Sequence, residues 1–193
     1  MMRGESGTVE SSRPLPVIRP DRMRVLIDGP SIQARVKQMG SEIRSTFGSD
    51  KVVTCVATLS GSFVFAADLV RAIGFPARVG FISVASYHSR ESEGVARVTR
   101  DLDLNVHGEH VLLIEDIVDT GLTLSYLLRL LQGREPHTLR VAALLDKPSR
   151  RTHHVGADHV GFEIPDEFVV GYGLDLDGLY RELPDVRVYD QDA

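Results

Sequence analysis

The chain has 193 residues, a formal net charge of −5, 42% hydrophobic residues and 25% charged residues. That length suits one domain with a core that closes without staples, and the composition is that of an ordinary globular protein. One cysteine, Cys55, excludes an internal disulfide and a cysteine-built zinc cage; no apolar run nears the ~20 residues of a membrane span, and the acidic balance argues against a nucleic-acid footprint.

Residues 1–22 are polar and proline-rich and predict a mobile extension; Arg3 has no apolar stretch behind it, so a cytoplasmic rather than secreted protein is expected. Arg24 to Ile27 reads as a short strand. Asp28 is a candidate N-cap, with Pro30 in the first turn. Ile32, Val36, Met39, Ile43 and Phe47 then fall on one helical face, which Gly48 stops. Val52 to Leu59 is apolar and β-branched on both faces, as a central parallel strand covered on both sides would be. After the turn Ser60-Gly61-Ser62, Phe63, Ala66, Ala67, Val70 and Ile73 form a second helical stripe ending at Gly74. Ala77 to Ala85 reads as a strand. Residues 86–98 are polar and charged and predict a long functional or disordered loop.

Val111 to Ile114 predicts the clearest strand, followed by Glu115-Asp116. Leu124, Leu127, Leu128 and Leu131 predict a helix that ends near Gly133. Leu139 to Leu145 is a strand, and His159 to Phe162, Phe168 to Val170 and Val186 to Tyr189 are short ones. Strands alternating with helices imply βαβ units and a parallel sheet covered on both faces. Ligands of such sheets lie at the carboxyl ends of the strands. Chemistry is therefore expected at Ser60-Gly61, Ser86-Tyr87, Glu115 to Thr123, and Asp146-Lys147.

Val111 to Thr123 reads VLLIEDIVDTGLT. Gly121 lets the backbone approach an anion, and amides at a helix start with two threonine hydroxyls suit a phosphomonoester. Three carboxylates beside a phosphate call for Mg²⁺ or a cationic group, and carboxylates also accept from ribose hydroxyls. A sugar phosphate with Mg²⁺ satisfies every group in the segment. A P-loop is excluded, because none of Lys37, Lys51 and Lys147 follows a glycine; no G-x-G-x-x-G occurs either. Of the other candidates, Lys147 follows a strand at the ligand end, Phe168 offers a ring for stacking, and Val169 offers backbone groups.

VLLIEDIVDTGLT resembles the phosphoribosyl-pyrophosphate signature of type I phosphoribosyltransferases, and more narrowly that of the hypoxanthine-guanine branch. The likeness extends through LLDKPSRR at 144–151 and VGFEIPDEFVVGYGLD at 160–175, and covers about residues 24–189. It implies an α/β type I phosphoribosyltransferase fold with a parallel sheet flanked by helices. A small hood would come from both chain ends, about 23–30 and 155–193, and 23–193 would be one domain.

The activity implied is purine salvage, in which the phosphoribosyl group passes to hypoxanthine or guanine. A xanthine-preferring enzyme and a nucleotide-sensing regulator on the same fold are the alternatives. By the same resemblance, Asp119 is the general base, and Ser86 and Tyr87 belong to a flap that closes over the reaction centre. Glu115 and Asp116 bind the ribose, and Asp119, Thr120, Gly121, Leu122 and Thr123 hold the 5′-phosphate. Lys147, Phe168, Val169 and Asp175 serve the purine site; Ser60, Gly61 and Arg181 serve pyrophosphate. Glu115, Asp116 and Asp175 hold Mg²⁺. Many family members carry a lysine where Ser60 stands. The implied partners are phosphoribosyl pyrophosphate, a 6-oxopurine and further copies of the chain in a homodimer or homotetramer, with neither nucleic acid nor membrane.

Overall fold

The computed structural model describes residues 19–48, 50–89 and 92–190, and of residues 86–89 and 92–95 only the backbone. Asp28 caps the first long helix, α1 (Gly29–Phe47), by accepting from the Ser31 amide at 2.7 Å. The predicted stripe Ile32, Val36, Met39, Ile43 and Phe47 is its buried face, and Gly48 ends it.

A second unit runs from β2 (Val53–Leu59) into α2 (Phe63–Ile73) and then β3 (Ala77–Ser89). β5 (His110–Val118), α3 (Leu122–Gln132) and β6 (Thr138–Asp146) repeat the pattern, and β7 (His159–Glu163) follows. With β4 (Ser92–Arg100), these strands form a six-stranded sheet of order β4-β3-β2-β5-β6-β7. Every pairing is parallel except β3 with β4.

The α1 and α2 stripes close one face over Cys55, Ala57, Leu112, Ile114 and Leu144. α3 closes the other through Leu124, Leu127 and Leu131 over Val56, Val111, Leu113 and Val141. Burial on both faces is why β2 and β5 read as unbroken apolar runs. A separate three-stranded antiparallel sheet, order β1-β9-β8, joins β1 (Arg24–Ile27), β8 (Val169–Val170) and β9 (Val186–Val188), so it draws on both ends of the chain.

Four details differ from the sequence-based expectations. In the polar stretch 86–98, residues 86–89 and 92–98 pair as an antiparallel ribbon rather than running as an irregular loop, with Ser86 opposite Ala96 and Tyr87 opposite Val95. Its outer strand is a sheet edge held by backbone bonds, so apolar alternation was not there to be read. Glu115 and Asp116 lie inside β5 rather than after it, because pairing with β6 continues to Val118 opposite Asp146. β7 belongs to the large sheet, so within 155–193 only the chain after it contributes to the small one. Pro20–Arg22 forms one 3-10 turn, and the Arg187 guanidinium donates to the Pro20 carbonyl; residues 1–18 of the expected extension lie outside the described residues.

Candidate active site

The carboxyl ends of β2, β5 and β6 open on one side of the large sheet, and the loops there carry most of the expected residues. At the end of β5 a cavity of about 210 Å³ is lined by Glu115 to Gly121, Thr123 and Leu124. Gly121 takes the N-cap position of α3 with φ +85° and has no side chain to cap the first turn. A Cβ on it would lie 2.9 Å from Val155 and 3.1 Å from the His153 carbonyl. The Thr120 carbonyl accepts from the Thr152 and His153 amides, both at 3.0 Å, which ties this loop to the one after β6. A small concave site at a helix N-terminus favours a bound anion.

Glu115 is 4% exposed. Its Oε2 accepts from the Thr58 hydroxyl at 2.7 Å, and its Oε1 is buried without a partner among the described residues. Burial first, and the neighbouring Asp116 charge second, push its pKa up to about 8. The Asp116 carboxyl is also raised, chiefly by burial; Asp175 adds to the effect while Arg181 and backbone amides oppose it.

The Asp116 carboxylate fills the space where a side chain on Gly61 would stand, since a Cβ there would lie 1.5 Å from Oδ2. The Leu59–Ser60 peptide just before it is cis, and Ser60 is exposed. Arg181 Nη2 meets Asp175 Oδ1 at 2.7 Å, and Asp175 Oδ2 accepts from the Gly178 amide at 2.7 Å. The structure thus joins Gly61, Asp116, Asp175 and Arg181, and Asp175 sits with the expected pyrophosphate residues.

Asp119 lies on the other flank. Its Oδ1 accepts from Arg150 Nε at 3.2 Å, and its carbonyl accepts from Arg151 Nη1 at 2.7 Å. Arg151 also pairs with Asp146, and Arg150 reaches Asp166 at 3.5 Å. Neither arginine was singled out from the sequence, although both sit in the segment that carries Lys147. Lys147 follows β6, is 7% exposed, and its amide donates to the Val118 carbonyl at 3.0 Å. Phe168 is 52% exposed, and Tyr189 packs edge-on against its ring at 6.1 Å between centroids. Val169 is buried opposite Val188. The side chains of Ser86 and Tyr87 lie outside the described residues.

No group of three or more His, Cys, Asp or Glu side chains that could hold a metal exists among the described residues. The acidic oxygens present suit a hard cation that keeps waters and substrate phosphates as its remaining ligands, which is how Mg²⁺ is held. The buried, unpartnered Glu115 Oε1 is consistent with an oxygen awaiting such a charge.

Residues 26–177 match the phosphoribosyl transferase domain. The hypoxanthine-guanine phosphoribosyltransferase of Mycobacterium avium is 43% identical over 199 residues, 96% of this chain and 97% of that protein. The chain belongs to the hypoxanthine-guanine phosphoribosyltransferase family. The Bacillus subtilis member is also 43% identical, over 89% of this chain and 96% of its own length. A crystal structure of the Bacillus anthracis hypoxanthine-guanine phosphoribosyltransferase superposes with a TM-score of 0.83 at 41% identity, covering 86% of this chain and 98% of that one. Fold and sequence therefore agree on hypoxanthine-guanine phosphoribosyltransferase membership over nearly the whole described chain.

Proposed function

We propose that this chain transfers the 5-phosphoribosyl group from phosphoribosyl pyrophosphate to hypoxanthine or guanine, giving IMP or GMP and pyrophosphate. The observation that carries this reading is the meeting of Asp116 with Gly61, which sets the acidic end of β5 against the loop after β2, with the Arg181 charge acting on Asp116. A phosphate at the start of α3 and a pyrophosphate at Gly61 and Arg181 would then span the two ends of one activated sugar.

In this reading the bond from the ribose anomeric carbon to pyrophosphate breaks, and the bond to a purine ring nitrogen forms. Glu115 and Asp116 hold the ribose hydroxyls and face the positive charge that develops on the sugar. Asp119 takes the proton from purine N7, once the incoming base replaces Arg150 as its partner. Lys147 donates to the purine 6-oxo oxygen; the 6-amino group of adenine cannot accept that hydrogen bond, so adenine is rejected. Phe168 stacks on the ring, and Val169 contacts its edge through backbone. The small sheet forms the hood over the base. Residues Asp119 to Thr123 hold the 5′-phosphate, and Ser86 and Tyr87 close over the centre from the β3–β4 ribbon.

Mg²⁺ would be held by Asp116 and Asp175 together with Glu115, where it offsets the charge of the leaving pyrophosphate. The chain acts in the cytoplasm, and two or four copies assemble. No helix among the described residues is long and apolar enough to cross a membrane.

A panel of hypoxanthine, guanine, xanthine and adenine with phosphoribosyl pyrophosphate and Mg²⁺ tests the reading. Nucleotide is expected from hypoxanthine and guanine, with little or none from adenine. Turnover of xanthine alone would change the substrate, and turnover of no base would remove the activity.

A further inference from the structure

Asp68 lies on α2, two turns beyond the Ser60–Ser62 loop, and the sequence pattern gave it no role. Its side chain is 17% exposed and receives donors from three directions. The Tyr172 hydroxyl donates to Oδ2 at 2.6 Å, Gln33 Nε2 donates to the same oxygen at 2.8 Å, and Arg71 pairs with Oδ1. Tyr172 is 4% exposed and sits at φ +51°, a backbone region that non-glycine residues seldom occupy. Burial and the Asp68 carboxylate together hold its hydroxyl strongly protonated.

Tyr172 opens the loop that carries Asp175 and Arg181. Its amide donates to the Leu183 carbonyl at 2.8 Å, and the Gly173 amide donates to the Arg181 carbonyl at 3.1 Å. The Arg181 guanidinium returns to the Gly173 carbonyl at 2.5 Å while its other end holds Asp175. Gly173 in turn lies against Gly61, since a Cβ on it would be 2.3 Å from the Gly61 carbonyl. The loop therefore meets the β2–α2 unit by backbone at Gly61, by packing beside Val64, and by the part-buried hydrogen bond to Asp68.

We propose that Asp68 and Tyr172 are positioning residues for the pyrophosphate end of the site. Their hydrogen bond fixes the Arg181–Asp175 pair against Gly61, so the loop is set before ligand arrives. This rests on the reading of Gly61, Asp175 and Arg181 as the pyrophosphate site. Neither residue touches the reacting atoms. Without the bond the loop keeps its internal pairing and its apolar packing but loses its polar tie to α2, so more of the ordering of the guanidinium falls to the moment pyrophosphate binds. Preorganisation of this kind appears as ligand affinity.

The test uses the full chain and two variants, Tyr172→Phe, which keeps the ring, and Asp68→Ala. Calorimetry with pyrophosphate and Mg²⁺ reads affinity without turnover, and steady-state assays give KM for phosphoribosyl pyrophosphate and for hypoxanthine. Both variants are expected to weaken pyrophosphate binding and raise KM for phosphoribosyl pyrophosphate about tenfold, the loss of one charge-assisted hydrogen bond. The hypoxanthine KM should stay within about twofold, because the base site is held by other contacts. The double variant should be little worse than either single one, as one shared bond requires. Unchanged pyrophosphate affinity in folded Tyr172→Phe would overturn the proposal alone, and so would an equal loss for both substrates. Wild-type protein that binds no pyrophosphate would overturn it together with the site assignment beneath it.

Discussion

Glu115 sits where a carboxylate is costly to ionise, and the cost has a measurable sign. Burial and the Asp116 charge raise its pKa from 4.5 to about 8 in the folded chain. Between those two values the folded state holds a proton that the unfolded state has released. Stability therefore falls as pH rises through this window. Glu115→Gln keeps the shape and removes the titration, so its melting temperature should depend less on pH between about 5 and 8 than that of the wild type. Scanning calorimetry on both proteins checks this, and parallel curves would show that Glu115 is already ionised in the folded state. The acidic motif at 115–123 was legible because all its residues are contiguous. The Thr58 hydroxyl that takes up one Glu115 oxygen was not, since it comes from the neighbouring strand. The same holds for Arg150 on Asp119, 31 residues away, and Tyr172 on Asp68, 104 residues away. A partner brought across the fold leaves no periodic trace in the chain.

At the scale of elements, α1 and α2 approach so closely that Gly40 has no room for a side chain. A Cβ there would lie 2.5 Å from the Ala72 carbonyl oxygen and 2.9 Å from its Cβ. Gly40→Ala gains about 1 kcal/mol of helix propensity. Overpacking against a backbone atom costs typically about 1–3 kcal/mol, because the helices must separate over their shared core. The cost should win, and urea unfolding should show a net loss of up to about 2 kcal/mol. A more stable variant would mean that the helix pair slides freely. Helices α1, α2 and α3 were legible by their core-facing period and the doubly covered strands β2 and β5 by their apolar runs; β1, the first part of β3, β6, β7, β8 and β9 were also legible as strands. The β3–β4 ribbon was not, because an edge pairing needs only backbone. Nor was the order of the small sheet, whose strands are 4, 2 and 3 residues long, too short for alternation to identify a partner.

On the scale of the molecule, the two sheets are held unequally. The central strands β2 and β5 pair on both sides and are buried on both faces. The small sheet has only one strand, β9, with partners on both sides, and β9 brings the two chain ends together. Ile27, Val169 and Val186 face the main core, while Met23, Val170, Tyr180 and Tyr189 form their own small cluster on the other side. Short strands, few ladder bonds and the exposed first half of β1 place the small sheet at the low end of local stability. Amides in 24–27, 169–170 and 186–188 should then exchange with solvent faster than those in 53–57 and 111–114. Phe168 precedes β8, and its carbonyl accepts from the Tyr189 amide at 2.8 Å. A nucleotide stacked on that ring would hold β8 and β9 together, so adding GMP should slow exchange in the small sheet more than in the large one. Native-state hydrogen exchange with and without GMP measures both effects. If the two sheets exchange alike and respond alike, the small sheet opens only with the whole molecule and base access does not depend on it.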